Sequence, residues 1–255
     1  MPTALITGAT AGIGAEFARQ LADRGYDLVL VARDEGRLKE YAEELHHETA
    51  VDVEILSADL ADRDQTLQVA ARLEDQARPI HLLVNNAGFG LRSTMLEPDT
   101  TLEERALDVM CRAVMILGGA AARAMKERGR GIIINTSSVA GVMAMGNYSA
   151  VKAFVTAYSE SLATQLRQTG VTVTALCPGW VRTEFHDRAQ INASSIPTWA
   201  WIDKTVLVRE ALADAEKGKV ISIPTLGWKV AMTAARLIPR STARWISAMI
   251  TSKRH

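Results

Sequence analysis

Tyr148 and Lys152 stand four residues apart in a stretch whose composition suits a helix. That spacing puts two side chains on one helical face, a single turn apart. The lysine ammonium can therefore lie beside the tyrosine phenol. A phenol with a pKa of about 10 is a poor acid near neutrality, and an adjacent cation favours its phenolate and lowers that value. Such a pair can pass a proton to, or take one from, an alcohol or carbonyl oxygen.

Many solvated helices carry a Tyr-x-x-x-Lys pair by chance, so its weight comes from its company. The chain opens with Thr7-Gly8-Ala9-Thr10-Ala11-Gly12-Ile13-Gly14. The apolar run Ala4-Leu5-Ile6 before it reads as a first strand. After it, Ile13, Phe17, Leu21 and Ala22 fall on one helical face, and Gly25 is placed to end the helix. A strand, a glycine turn and a helix make an anion site: glycine admits a pyrophosphate close to the backbone, and the helix start supplies free N–H donors. The spacing Gly-x-x-x-Gly-x-Gly differs from the Gly-x-Gly-x-x-Gly fingerprint.

The elements that must position these residues alternate along the chain. Residues 27–32, 52–56, 80–85, 131–136, 171–177 and 219–223 read as strands. Residues 34–48, 62–78, 102–128, 147–169 and 205–217 read as helices. This rhythm predicts an α/β fold: one domain over 1–255, a Rossmann-type doubly wound parallel sheet of about seven strands with helices on both faces. A chain of 255 residues, 48% hydrophobic and with zero formal net charge, can bury such a core. No secretory signal precedes the first strand, and no apolar run reaches the roughly 18 residues of a membrane span. Cys111 and Cys177 do not suggest a disulfide framework, so a reducing, cytoplasmic setting is expected. His46, His47, His81, His186 and His255 lack metal-ligand spacing, and no metal is expected.

Five segments then occur in order: Thr7-Gly8-x-x-x-Gly12-x-Gly14, Asn85-Asn86-Ala87-Gly88, Ser137-Ser138-Val139-Ala140-Gly141, Tyr148-x-x-x-Lys152 and Pro178-Gly179-x-x-x-Thr183. Over residues 3 to 223 the chain resembles the short-chain dehydrogenase/reductase family. The resemblance implies an oxidoreductase moving a hydride between a nicotinamide cofactor and a carbonyl or secondary alcohol. It assigns Ser138, Tyr148 and Lys152 to catalysis, with Ser138 holding the substrate oxygen and the hydroxyls of Thr136 and Ser137 as close competitors. Lys152 would also bond the nicotinamide ribose. It further assigns Gly8, Thr10, Gly12, Ile13 and Gly14 to the cofactor phosphates, Asp59 and Leu60 to the adenine, and Asn86, Ala87 and Gly88 to the turn beside the cofactor. Pro178, Gly179, Val181 and Thr183 would hold the nicotinamide.

Cofactor choice turns on the end of the second strand, Leu30-Val31-Ala32-Arg33-Asp34. An acid there favours NAD, whereas a nearby arginine accepts the 2′-phosphate. Arg33 offers a planar charged fork suited to phosphate, so NADP(H) is favoured over NAD(H). Asp34 either reaches a ribose hydroxyl or caps the next helix, and Arg33 read alone is an ordinary helix-flanking arginine.

Two departures from the family pattern stand out. Met110 occupies a position where many members carry an asparagine that serves a water chain, and a thioether lacks an amide's donor. The segment from Val139 to Asn147, with Met143 and Met145, is shorter than usual, which either opens the pocket mouth or reflects core packing. Residues 184–204 would form a lid. Its Phe185, Ile191, Ile196, Trp199 and Trp201 point to a lipophilic ketone, aldehyde or 3-oxoacyl substrate, unless they pin the lid or a subunit contact.

From Lys217 onward there are eight Lys or Arg and no Asp or Glu. This basic C-terminal extension, 226–255, suits packing on the body or an oligomer interface better than contact with an anionic membrane or acyl carrier. No nucleic-acid motif accompanies it. The expected partners are a small-molecule substrate and further copies of the chain. The alternative function is an NADP(H)-binding sensor or scaffold with little turnover, for which Met110 is the sequence support.

Overall fold

A computed structural model describes residues 1–91, 95–144, 146–182 and 198–237, without the side chains at 199, 231 and 234–237. Of the lid segment 184–204, residues 184–197 lie outside the described residues, as do Thr183, Met145 and the tail beyond 237, and with them Phe185, Ile191, Ile196, and Trp245, Ile246 and Met249 of the C-terminal extension.

Seven strands form one parallel sheet in the order β3-β2-β1-β4-β5-β6-β9. They are β1 (Thr3–Thr7), β2 (Asp27–Ala32), β3 (Val53–Ser57), β4 (Leu82–Asn85), β5 (Gly131–Thr136), β6 (Val171–Leu176) and β9 (Ile221–Ser222). Two short strands, β7 (Trp180–Val181) and β8 (Trp201–Ile202), pair with each other. The expected doubly wound sheet is therefore present.

Side chains of one strand alternate between faces, and both faces are covered. Leu5, Val29 and Val31 pack in one apolar layer, and Ala4, Ile6, Leu28 and Leu30 in the other. The first layer is closed by α3 (Arg63–Glu74), α4 (Thr101–Leu107), α5 (Ala113–Arg128) and α6 (Gly146–Gln165). The second is closed by α1 (Gly12–Asp23), α2 (Glu35–Thr49) and α7 (Lys204–Glu216). A last helix, α8 (Leu226–Leu237), follows β9. Among the described residues, no helix is long and apolar enough to cross a membrane.

Three expectations need correction. The run 102–128 is not one α-helix, because Asp108–Arg112 forms a wider π turn between α4 and α5. The helix read over 62–78 stops at Glu74, where Asp75 turns to extended backbone. The last strand is only two residues long, Ile221 and Ser222 standing in register with Ala175 and Leu176 of β6.

Strand order reverses between β1 and β4. In open α/β sheets a crevice forms beyond the carboxyl ends of the strands at such a reversal. The turns that follow β1 and β4 are Gly8–Ala11 and Asn86–Gly88.

Candidate active site

The glycine turn is shaped by how closely its parts approach. Gly8 and Gly12 have φ of +66° and +56°, a left-handed backbone that side chains resist. A Cβ on Gly14 would lie 2.1 Å from the Gly8 carbonyl oxygen and 2.5 Å from Asn86 Nδ2. The backbone N–H groups of Asn86 and Ala87 donate to Thr7 Oγ1 at 2.9 and 3.0 Å, and Asn86 Nδ2 donates to the Thr7 carbonyl at 3.2 Å. The ends of β1 and β4 are thus knitted together beneath the turn. Helix α1 starts with no side-chain cap, so its first N–H groups face the crevice, an arrangement suited to phosphate.

At the end of β2, Arg33 is exposed. Asp34 is committed to structure: its carboxylate accepts the Arg37 backbone N–H at 3.0 Å and caps α2. Arg37 was not singled out from sequence. Its guanidinium donates to the Thr10 carbonyl of the glycine turn at 3.0 Å, which brings a second cation to the same corner. Its place one turn after Arg33 was the available signal. Asp59 pairs with Arg105 at 2.6 Å. Burial alone would raise its pKa, but the Arg105 bond and the Ala61 N–H outweigh that and leave the carboxyl below its usual range. Leu60 beside it is buried.

Ser138, Tyr148 and Lys152 converge. Ser138 caps the short 3-10 turn Val139–Val142, its Oγ accepting the Ala140 N–H at 3.1 Å, and it hydrogen-bonds the Tyr148 phenol. Ser137 is turned inward, donating to the Lys152 carbonyl at 2.7 Å. The Thr136 hydroxyl is buried with no partner, while its carbonyl accepts from Lys152 Nζ at 2.9 Å. Lys152 Nζ lies 5.7 Å from the centre of the Tyr148 ring.

The expected depression of the phenol pKa is not found. Burial pushes Tyr148 up to about 12, against the pull of its Ser138 bond. Burial also lowers Lys152 to about 8, opposed by the Cys111 and Cys177 thiols. Burial is thus the reason, and the lysine's hydrogen bond goes to the Thr136 carbonyl of β5.

Met110 sits in the π turn, almost wholly buried, and a Cβ on Gly88 would meet its Sδ at 2.9 Å. It fills space beside the turn after β4. Single π turns inside α-helices often mark functional sites.

The loop after β6 joins this assembly. The Val139 N–H donates to the Pro178 carbonyl at 3.0 Å, linking it to the Ser138 turn. Val181 is buried in β7. Trp180 and Trp201 face each other at 6.2 Å between ring centres, with Arg182 over the Trp201 ring. Trp228 of α8 lies on Gly179 and donates from Nε1 to the Ala200 carbonyl at 3.1 Å. The first turns of the C-terminal extension are therefore packed on the body.

Residues 2–193 match the model of the short chain dehydrogenase family. A short-chain dehydrogenase from Sphingobium yanoikuyae, solved in complex with NADPH, is 37% identical with a TM-score of 0.84, covering 92% of this chain and 94% of its own. A bulky-bulky ketone specific alcohol dehydrogenase from Comamonas testosteroni is 32% identical with a TM-score of 0.80, covering 92% of each chain. The granaticin polyketide synthase putative ketoacyl reductase 1 of Streptomyces violaceoruber is 37% identical over 206 residues, 76% of this chain and 73% of that protein.

Proposed function

The chain belongs to the short-chain dehydrogenase family, as an oxidoreductase acting between alcohol and ketone groups, and from that premise we propose that it is an NADP(H)-dependent reductase of lipophilic carbonyl compounds. The observation that carries the reading is the Ser138–Tyr148 hydrogen bond with the Lys152 ammonium against the same ring. It favours turnover over a sensor or scaffold role.

The residues fit the cofactor. Gly14 lets α1 start tight against the Gly8 carbonyl, where a Cβ would stand only 2.1 Å away, and Gly8, Gly12, Thr10, Ile13, Asn86, Ala87 and Gly88 would border the cofactor. Arg33 and Arg37 supply two cations for a 2′-phosphate, while Asp34 Oδ1 is taken up in capping α2. Asp59 and Leu60 would flank the adenine, and Pro178, Gly179, Val181 and Thr183 the nicotinamide. When bound, the cofactor supplies the hydride.

In reduction, Ser138 Oγ donates a hydrogen bond to the carbonyl oxygen and fixes it beside Tyr148. The phenol gives its proton to that oxygen, since a pKa near 12 keeps it protonated across the physiological range. Lys152, charged below a pH of about 8, favours the phenolate left behind.

Lipophilic substrates are supported by the Trp180–Trp201 pair and by the bulky ketones that the Comamonas neighbour takes. A homo-oligomer is supported by exposed Leu107, Met115 and Phe154 on α4, α5 and α6. A reducing, cytoplasmic setting is supported by Cys111 and Cys177, both buried and neither in a disulfide among the described residues. The test is NADPH oxidation with a panel of bulky aryl and alkyl ketones and aldehydes. Turnover confined to small polar carbonyls rejects the lipophilic class, and NADH matching NADPH rejects the cofactor preference.

A further inference from the structure

Gly179 has an ordinary backbone conformation, so its need to be glycine lies in space. A Cβ there would stand 2.1 Å from Trp228 Cε2, 2.4 Å from Nε1 and 2.6 Å from Cδ2. These are ring atoms of a rigid side chain, so the indole lies flat on the Gly179 backbone. Its position is over-determined. Nε1 donates to the Ala200 carbonyl at 3.1 Å, and Glu210 of α7 holds the start of α8 by accepting the Thr225 N–H at 3.0 Å and pairing with Lys229 at 3.3 Å. Met232, one turn further along α8, is buried. On the other side of Gly179, the Pro178 carbonyl accepts the Val139 N–H, next to Ser138. An unbroken chain of contact therefore runs from the C-terminal helix through Gly179 and Pro178 to the turn that presents the Ser138 hydroxyl.

We propose that Trp228 is a positioning residue for the reduction: through Gly179 and the Pro178–Val139 bond it sets the placement of Ser138 and of the loop that flanks the nicotinamide. This rests on the NADP(H) reading above. Trp228 bonds the Ala200 carbonyl and lies on Gly179, so its removal is expected to act on ring placement and to spare the anchoring of the adenosine half. Small displacements of reacting groups carry large rate costs.

The test uses the full chain and NADPH. Trp228→Ala is expected to lower kcat at least tenfold, with the NADPH Kd changed less than threefold. The nicotinamide emission of bound NADPH shifts toward that of the free cofactor, a signature that a merely structural role would not move. Trp228→Phe keeps a ring on Gly179 and recovers most of the lost rate, and it serves if the alanine variant folds poorly. Gly179→Ala is expected to cost markedly less rate beside Trp228→Ala than in the wild-type background, because residues in contact couple non-additively. The inference is overturned if Trp228→Ala keeps wild-type kcat and emission, if rate and NADPH affinity fall in proportion, or if Gly179→Ala costs the same in both backgrounds. A wild-type chain that fails to bind NADPH overturns the cofactor reading beneath it instead.

Discussion

Lys152 points its ammonium at the Thr136 carbonyl, 2.9 Å away, while standing 5.7 Å from the centre of the Tyr148 ring. The two side chains are neighbours through the ring face, and the phenolic oxygen is turned to Ser138. Tyr148→Phe keeps that ring contact and deletes the proton. Turnover should fall by about 10²–10⁴-fold, the usual worth of a general acid, while NADPH binding stays near wild type. Lys152→Ala should damage both. Single-turnover rates and fluorescence titration measure the two effects, and a Tyr148→Phe variant with most of its activity would show the acid to be misassigned.

Lysine charge sets the pH profile. Burial holds Lys152 at about 8, so its ammonium is complete well below that value and is lost as the pH rises through it. Carbonyl reduction at saturating NADPH should therefore be flat at lower pH and decline above about 8. A profile that keeps rising to pH 10 would contradict this assignment.

The corner at the end of β2 gives a cofactor test. Arg33→Ala should raise the NADPH Kd by about tenfold or more, the worth of charge-assisted hydrogen bonds, and change NADH little. Arg37→Ala should act in the same direction, with some loss for NADH as well, because its guanidinium also holds the Thr10 carbonyl. Equal weakening of both cofactors by Arg33→Ala would make that residue structural.

At the opposite ends of the central strands, the Thr3 N–H donates to His81 Nδ1 at 3.0 Å, which requires an unprotonated ring nitrogen. Burial holds the imidazole below its ordinary 6.5, helped by the charges of Arg128, Arg130 and the N-terminus. The unfolded chain then binds the proton more readily, so this contribution to stability is present above about 6.5 and is lost as pH falls below it. His81→Asn retains an acceptor that does not titrate. Urea midpoints measured between pH 5 and 8 should show a weaker pH slope for the variant, and identical slopes would remove His81 from the account.

Much of this site could be read from sequence because its signals are local. A strand, the glycine turn and an apolar helical face lie within the first 25 residues, and Gly25 ends α1 with φ of +77°. What stayed hidden depends on distant packing. Nothing in Asp108-Val109-Met110-Cys111-Arg112 breaks a helix, and the π turn is settled only where Met110 meets Gly88. Spacing put Lys152 beside Tyr148 but could not weigh burial against charge, so the expected direction of the phenol shift was reversed. Arg37 and Trp228 act on partners that a linear reading does not pair with them, Thr10 and Gly179.

The Thr7 hydroxyl, which accepts the backbone N–H groups of residues 79 and 80 positions further on, has a kinetic consequence. Contacts of such separation must wait for loop closure between distant segments. The floor of the crevice is therefore completed only once β1 and β4 have paired. A ligand seated on that floor stabilises the finished fold by mass action and has nothing to grip earlier. Its effect falls on the rate of unfolding, and the rate of folding is left almost unchanged.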